Sequence, residues 1–212
     1  MKLQLQKENG PQSKSGEKFL EQDSPADPNP NARTILEAQI RECFGRVVYS
    51  HKTHEKCADI LLARLSRIKL TQIILSSITT ASFLVILFGT RQVGALIGVS
   101  ISAILLVLHA YTKNYDLGEL AQKHRQAAAD IWLIREEYIS LLTDLRSGRV
   151  TLEKLSAKRD ELLERLHAIY SGAPSTTVAA YRRAQKALQT EEDMTFSDAE
   201  INAFLPNALH RD

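Results

Sequence analysis

The chain has 212 residues, with 27 Lys and Arg against 25 Asp and Glu and a formal net charge of +2, and a mean hydropathy of −0.20. That length bounds it to one domain, or to one membrane unit with elaborations, and the near-balance of charge gives no sign of a nucleic-acid binder. Its two cysteines, Cys43 and Cys57, lack any CxxC spacing, so a disulfide framework or a zinc knuckle is not expected and reduced thiols are.

The averages conceal a segregation of charge. No Asp or Glu occurs between Asp59 and Asp116, and between Lys69 and Lys113 the single formal charge is Arg91. Six Pro and nine Gly lie mostly outside this stretch, and the composition points to an all-helical chain.

Residues 1–32 are polar, have no apolar h-region and end in Pro25, Pro28 and Pro30, so no cleavable signal is expected and they read as a disordered tail. Residues 33–69 form the next predicted element, a cytosolic helix before the membrane, with Thr34 and Glu37 as a capping box. Along it Ile40, Phe44, Val47, His51, His54, Ala58, Leu61, Leu65 and Ile68 recur at spacings of three and four, which is a heptad seam.

Residues 70–111 follow as two apolar runs, Leu70 to Phe88 and Val93 to Ala110, joined by "GTRQ". As helices each is roughly 28 Å long, close to the hydrocarbon thickness of a bilayer. The flanking segments supply amphipathic stripes rather than enough apolar surface to bury such a pair, so a membrane hairpin is predicted. Arg64, Arg67 and Lys69 precede it and Lys113 and Lys123 follow it, which places both termini in the cytoplasm by the positive-inside bias. Within the first run Gln72, Ser76, Thr79 and Thr80 make one polar stripe; within the second Gly94, Gly98 and Ser102 make a small-xxx-small series that permits close helix approach. The polar stripe has two readings, packing inside the hairpin or oligomer, and lining a water-filled path when hairpins assemble.

Residues 112–147 repeat the seam pattern through Leu117, Leu120, His124, Ala127, Ile131, Ile134, Tyr138, Leu141 and Leu145. The two seams are expected to face each other as an antiparallel stalk that continues the spans without a break, ending at Gly148. Matching depth below the membrane sets His124 opposite Ala58, one turn from His54. His51, His54 and His124 read as seam histidines, since their spacing fits no metal-ligand pattern.

Residues 148–212 are a C-terminal region of amphipathic helices. Leu152, Leu155, Leu162, Leu166 and Ile169 mark the first, and "APSTT" opens the second, with Pro174 in its first turn and Ser175 to Thr177 as capping hydroxyls. Thr176 at that N-terminus, with Arg182, Arg183 and Lys186 beyond it, makes the candidate anion or ligand site. Ser197 and Glu200 form a capping box for a short last helix, which Phe204 and Leu205 are expected to dock. No Gly-rich phosphate loop, GxSxG, HExxH or paired catalytic carboxylates occur, so neither an enzyme nor a bound cofactor or metal is expected.

The segments "SHKTHEKCADI", "HAYTKNYDLGELAQKHRQAAADIWLIREEYISLLTDL", "KRDELLERLHAIYSGAPSTTVAAYRRAQKAL" and "MTFSDAEINAFLP" resemble the SLATT family, two-transmembrane effector domains of bacterial conflict systems, and within it the fifth subfamily. The resemblance covers about residues 34 to 208. It implies an all-α, oligomeric effector of the bacterial inner membrane that forms a pore or disrupts the bilayer to arrest an infected cell. It also implies a trigger: a nucleotide second messenger, or a partner such as a nucleotide-synthesising enzyme or a reverse transcriptase. A non-conducting scaffold, anchored by the hairpin and recruiting a soluble partner through its cytosolic helices, is the alternative.

Overall fold

The structure, a computed structural model, describes residues 30–89 and 91–210; most of the predicted polar tail lies outside them. The described residues form six α-helices and a final 3-10 turn, with no strand. Helix α1 spans Pro30–Phe88 in 59 unbroken residues, and α2 spans Arg91–Asn114. They are followed by α3 (Leu117–Ser147), α4 (Leu152–Gly172), α5 (Val178–Gln189) and α6 (Asp198–Phe204).

Because α1 starts at Pro30, Thr34 lies inside the helix and does not cap it. Glu37 instead accepts from Arg146 of α3 at 3.2 Å. Nearby, Arg33 donates to the backbone carbonyls of Leu145, at the end of α3, and of Val150, in the connection that follows, so a cation satisfies an acceptor that the helix end leaves without a helical partner. Gly148 closes α3 in the left-handed region at φ 69°, which costs a residue without Cβ almost nothing.

The expected continuity holds for α1 and fails on the other side. Between α2 and α3 the helix breaks at Tyr115 and Asp116, where the Asp116 carboxylate accepts from the Glu119 amide at 2.8 Å. An aspartate offers a non-helical backbone a local acceptor, and here it starts a new helix.

The seams pack α3 along the first half of α1. Ile40, Val47, Ile131, Ile134 and Tyr138 are completely buried between them, and Leu155 and Leu162 bring α4 onto the same core. Leu120 is the exception in the predicted seam: it is exposed, and Ala121 takes the buried position. Cys43 and Cys57 are buried free thiols. The hydroxyl of fully buried Tyr138 has no hydrogen-bond partner, and burial, chiefly, raises its pKa. Tyr138→Phe is therefore expected to leave stability unchanged or raise it by about 1 kcal/mol in thermal unfolding of the solubilised protein. A marked loss would mean that the neighbouring Cys43 thiol bonds this hydroxyl.

Helix α5 lies against α1 through Ala180, Ala184 and Ala187, all completely buried, since small side chains let two backbones approach. Thr177, not the Ser175–Thr177 group as a whole, caps it by accepting from the Ala180 amide at 3.2 Å, and Pro174 precedes the helix instead of entering its first turn. The Tyr181 ring stacks on Tyr49 with centroids 5.8 Å apart. Beyond α5, Asp193 reaches buried Lys52 at 2.6 Å. The capping box of Ser197 and Glu200 forms as expected, but Phe204 is 83% exposed and so does not dock α6.

Candidate functional site

The apolar halves of α1 and α2 pack on each other in reversed order, and the residues that make this possible are small. At Gly94 a Cβ would lie 2.8 Å from Ile86 Cγ1 and 3.0 Å from the Ser82 carbonyl oxygen. At Gly98 it would lie 2.8 Å from Ser82 Oγ, and that hydroxyl donates to the Thr79 carbonyl at 2.6 Å. Ser82 and Ile86 therefore form the α1 side of the seam, and half-buried Thr79 lies one turn before Ser82. Of the predicted small-residue series, Gly94 and Gly98 sit in it, whereas Ser102 is exposed: at four residues per step the series drifts round the helix and leaves the contact.

Outside that seam the pair is bare. Only 6% of the most apolar 18-residue window of each helix is buried, and Leu70, Ile73, Phe83, Leu87, Leu96, Val99 and Leu106 are more than half exposed. A core helix of a soluble protein would have this surface covered, because uncovered apolar area is unfavourable in water.

One part of this surface is polar. Gln72, Ser76 and Thr80 of α1 line an open groove of about 540 Å³ together with Lys69, Ile73, Ser77 and, from α2, His109. The predicted stripe is thus divided: three of its members share the groove, and half-buried Thr79 lies outside it. Most of the hydroxyls bond back to their own helix, Ser77 to the Ile73 carbonyl, Thr79 to that of Leu75 and Thr80 to that of Ser76. The Gln72 side-chain nitrogen, by contrast, is buried without a partner. His109 Nδ1 donates to the Leu105 carbonyl at 2.8 Å, which leaves Nε2 as the ring's acceptor when it is neutral. Lys69, Ser77 and His109 were missed from sequence, because their place depends on how α2 is rotated against α1.

In the stalk, the structure brings His54 and His124 into direct contact, Nδ1 to Nδ1 at 3.0 Å, a turn closer than depth matching placed them. His51 Nδ1 donates to the Ala128 carbonyl at 2.9 Å. The N–H···N bond between His54 and His124 needs one donor and one acceptor and so excludes two imidazolium rings. Burial first, then the charges of His124 and His51, hold the His54 pKa down at about 4, and burial lowers that of His124. No group of three or more His, Cys, Asp or Glu among the described residues is arranged to hold a metal ion.

The candidate ligand residues do not converge. Thr176 lines a cavity of about 620 Å³ with Arg46, Tyr49, Ser50 and Tyr181, where Arg46 is already paired with Glu42. Lys186 is held by Glu191 at 2.7 Å, and Arg182 and Arg183 are exposed on α5 outside this cavity.

The sequence model of the "SMODS and SLOG-associating 2TM effector domain family 4" matches residues 36–200. The chain belongs to this family, SLATT, and is a membrane protein with two apolar helices long enough to cross a bilayer. The matching model is that of family 4, and the expected fifth subfamily is not confirmed. No curated protein and no solved structure gave a match.

Proposed function

We propose that the chain is an oligomeric effector of bacterial defence whose α1–α2 hairpin crosses the inner membrane, with both termini in the cytoplasm, and conducts when triggered. The observation that carries this reading is the groove of Lys69, Gln72, Ser76, Ser77, Thr80 and His109, which is polar surface among the exposed apolar residues of the hairpin. In lipid a polar side chain without a partner is costly, so this face calls for water or for neighbouring copies around a path. Assembly of several copies answers both needs. Opening is a shift between two packings of the stalk, driven by a nucleotide second messenger or by a partner such as a nucleotide-synthesising enzyme or a reverse transcriptase. Conduction then arrests the infected cell.

The test is membrane potential in bacteria after induced expression, followed with a potential-sensitive dye and repeated during phage infection. The wild type is expected to depolarise cells, and a Gln72→Leu, Ser76→Leu, Thr80→Leu variant at equal membrane abundance is expected not to. Full depolarisation by the triple variant would remove the groove from the path.

A second reading, a non-conducting scaffold, is favoured by the exposed Trp132, Leu133 and Ile139 on α3, 47%, 49% and 38% exposed, which suit a partner's apolar surface. Protection against phage that survives exchange of the hairpin for an unrelated two-span anchor would select it.

A further inference from the structure

We propose that the open path selects anions, and that Lys69 is the residue that sets this preference. The inference rests on the conducting reading above and concerns what that path lets through. From Lys69 to Lys113 every formal charge is positive. Lys69 stands on the same face of α1 as Gln72, Ser76 and Thr80, at the cytosolic end of the groove, with His109 opposite it on α2. Arg91 begins α2 at the other end.

The nearest carboxylates on the cytosolic side are already engaged. Asp59 receives Arg125 at 2.6 Å, Asp116 receives the Glu119 amide at 2.8 Å, and Glu119 pairs with Lys123 at 2.8 Å. None of them lines the groove. A permeating cation therefore meets lysine charge with no counter-charge in the wall, while an anion meets the lysine charge and the exposed Ser76 hydroxyl. Rings of like-charged side chains select ions in this way, and each added copy of the chain adds one Lys69 to the ring.

The positive-inside bias by itself accounts for basic residues at this level. Arg67 is one of them: it lies outside the groove wall and donates to the carbonyl of Ala63 at 3.2 Å. Arg64 is held over the Tyr111 ring at 5.5 Å. The bias does not explain why Lys69 shares a surface with the polar stripe. Lys69 and Arg67 thus separate a selectivity role from a topological one.

The experiment is patch recording from spheroplasts of cells that the wild-type chain depolarises, under a potassium chloride gradient. The reversal potential is expected to lie towards that of chloride, with permeability favouring chloride over potassium by roughly tenfold, the size expected of a few close charges in a wet pore. Lys69→Gln should erase most of that preference and Lys69→Glu should reverse it, while Arg67→Gln leaves it in place. Cation preference in the wild type, or equal shifts from the Arg67 and Lys69 variants, would overturn the assignment while leaving conduction intact. Absence of any added conductance in those patches would overturn the conducting reading and this inference with it.

Discussion

Replacing Gly94 by leucine is expected to abolish depolarisation outright. The leucine Cβ alone would meet Ile86 Cγ1 at 2.8 Å and the Ser82 carbonyl at 3.0 Å; since one of these is backbone, no rotamer change relieves the contact. The helices must separate, at a cost of about 3 kcal/mol, the upper part of the range for overpacked sites. Lipid-facing helices have no hydrophobic drive to hold them together against such a loss. Gly98→Leu is expected to act in the same direction and less strongly, because the close atom there is Ser82 Oγ, a side-chain atom that can rotate away. The measurement is dye-reported potential at matched membrane abundance, with disulfide trapping between cysteines placed across the seam as a direct report of helix contact. A Gly94→Leu protein that still depolarises cells and still cross-links would show that this contact is dispensable.

Acidification is expected to weaken the stalk well before its ion pairs titrate. An unfolded histidine takes its proton below about pH 6.5, whereas folded His54 resists protonation down to about pH 4. Its folded pKa is lowered, so the contribution is fully present above pH 6.5, falls as pH drops towards 4 and levels off below that. The size is about 3 kcal/mol across the window, on a side chain only 3% exposed. His51 and Glu55 flank the pair on α1, and Arg125 of α3 lies 3.9 Å from Glu55. Carboxylates with lowered pKa values, such as Glu137 beside Lys158 and Arg165 and Asp193 beside Lys52, lose their contributions below the ordinary carboxylate range. Hydrogen exchange of residues 51–58 and 121–128 in the solubilised chain, taken at steps from pH 7 to 4, is expected to accelerate through this window. A His54→Leu, His124→Leu variant should show a flat profile there, and an equal slope in that variant would move the effect elsewhere.

Most of the architecture was legible because it follows from one-dimensional patterns. The two apolar runs, the seam from Ile40 to Ala58, Gly148 and the Ser197–Glu200 box each depend on neighbours within a turn or two. The break at Asp116 was not foreseen, because the apolar periodicity running across it suggested continuity and outweighed the capping aspartate three residues before Glu119. What sequence could not supply was the relation between helices. A one-turn difference in register moves His124 from Ala58 to His54. A rotation of α2 decides whether His109 enters the groove with Gln72 and whether Ser102 enters the seam with Gly98. Arg182, Arg183 and Lys186 share one short helix and still point to different surroundings, because 100° separates each residue from the next, and Thr176 lies before that helix altogether.

The unbroken length of α1 has a mechanical consequence. It runs roughly 90 Å at the usual rise, from Pro30 to Phe88, with no glycine or proline break in its hydrogen-bonded ladder between Gly45 and the apolar half. Its counterpart is jointed at Asp116. The far end of the stalk and the apolar half of α1 are therefore parts of one rod, while α2 meets the stalk only through the break at Asp116. The face that carries Lys69 and Gln72 thus belongs to the same continuous helix as the core of the stalk, so the two cannot be rotated independently without breaking that helix's hydrogen-bonded ladder.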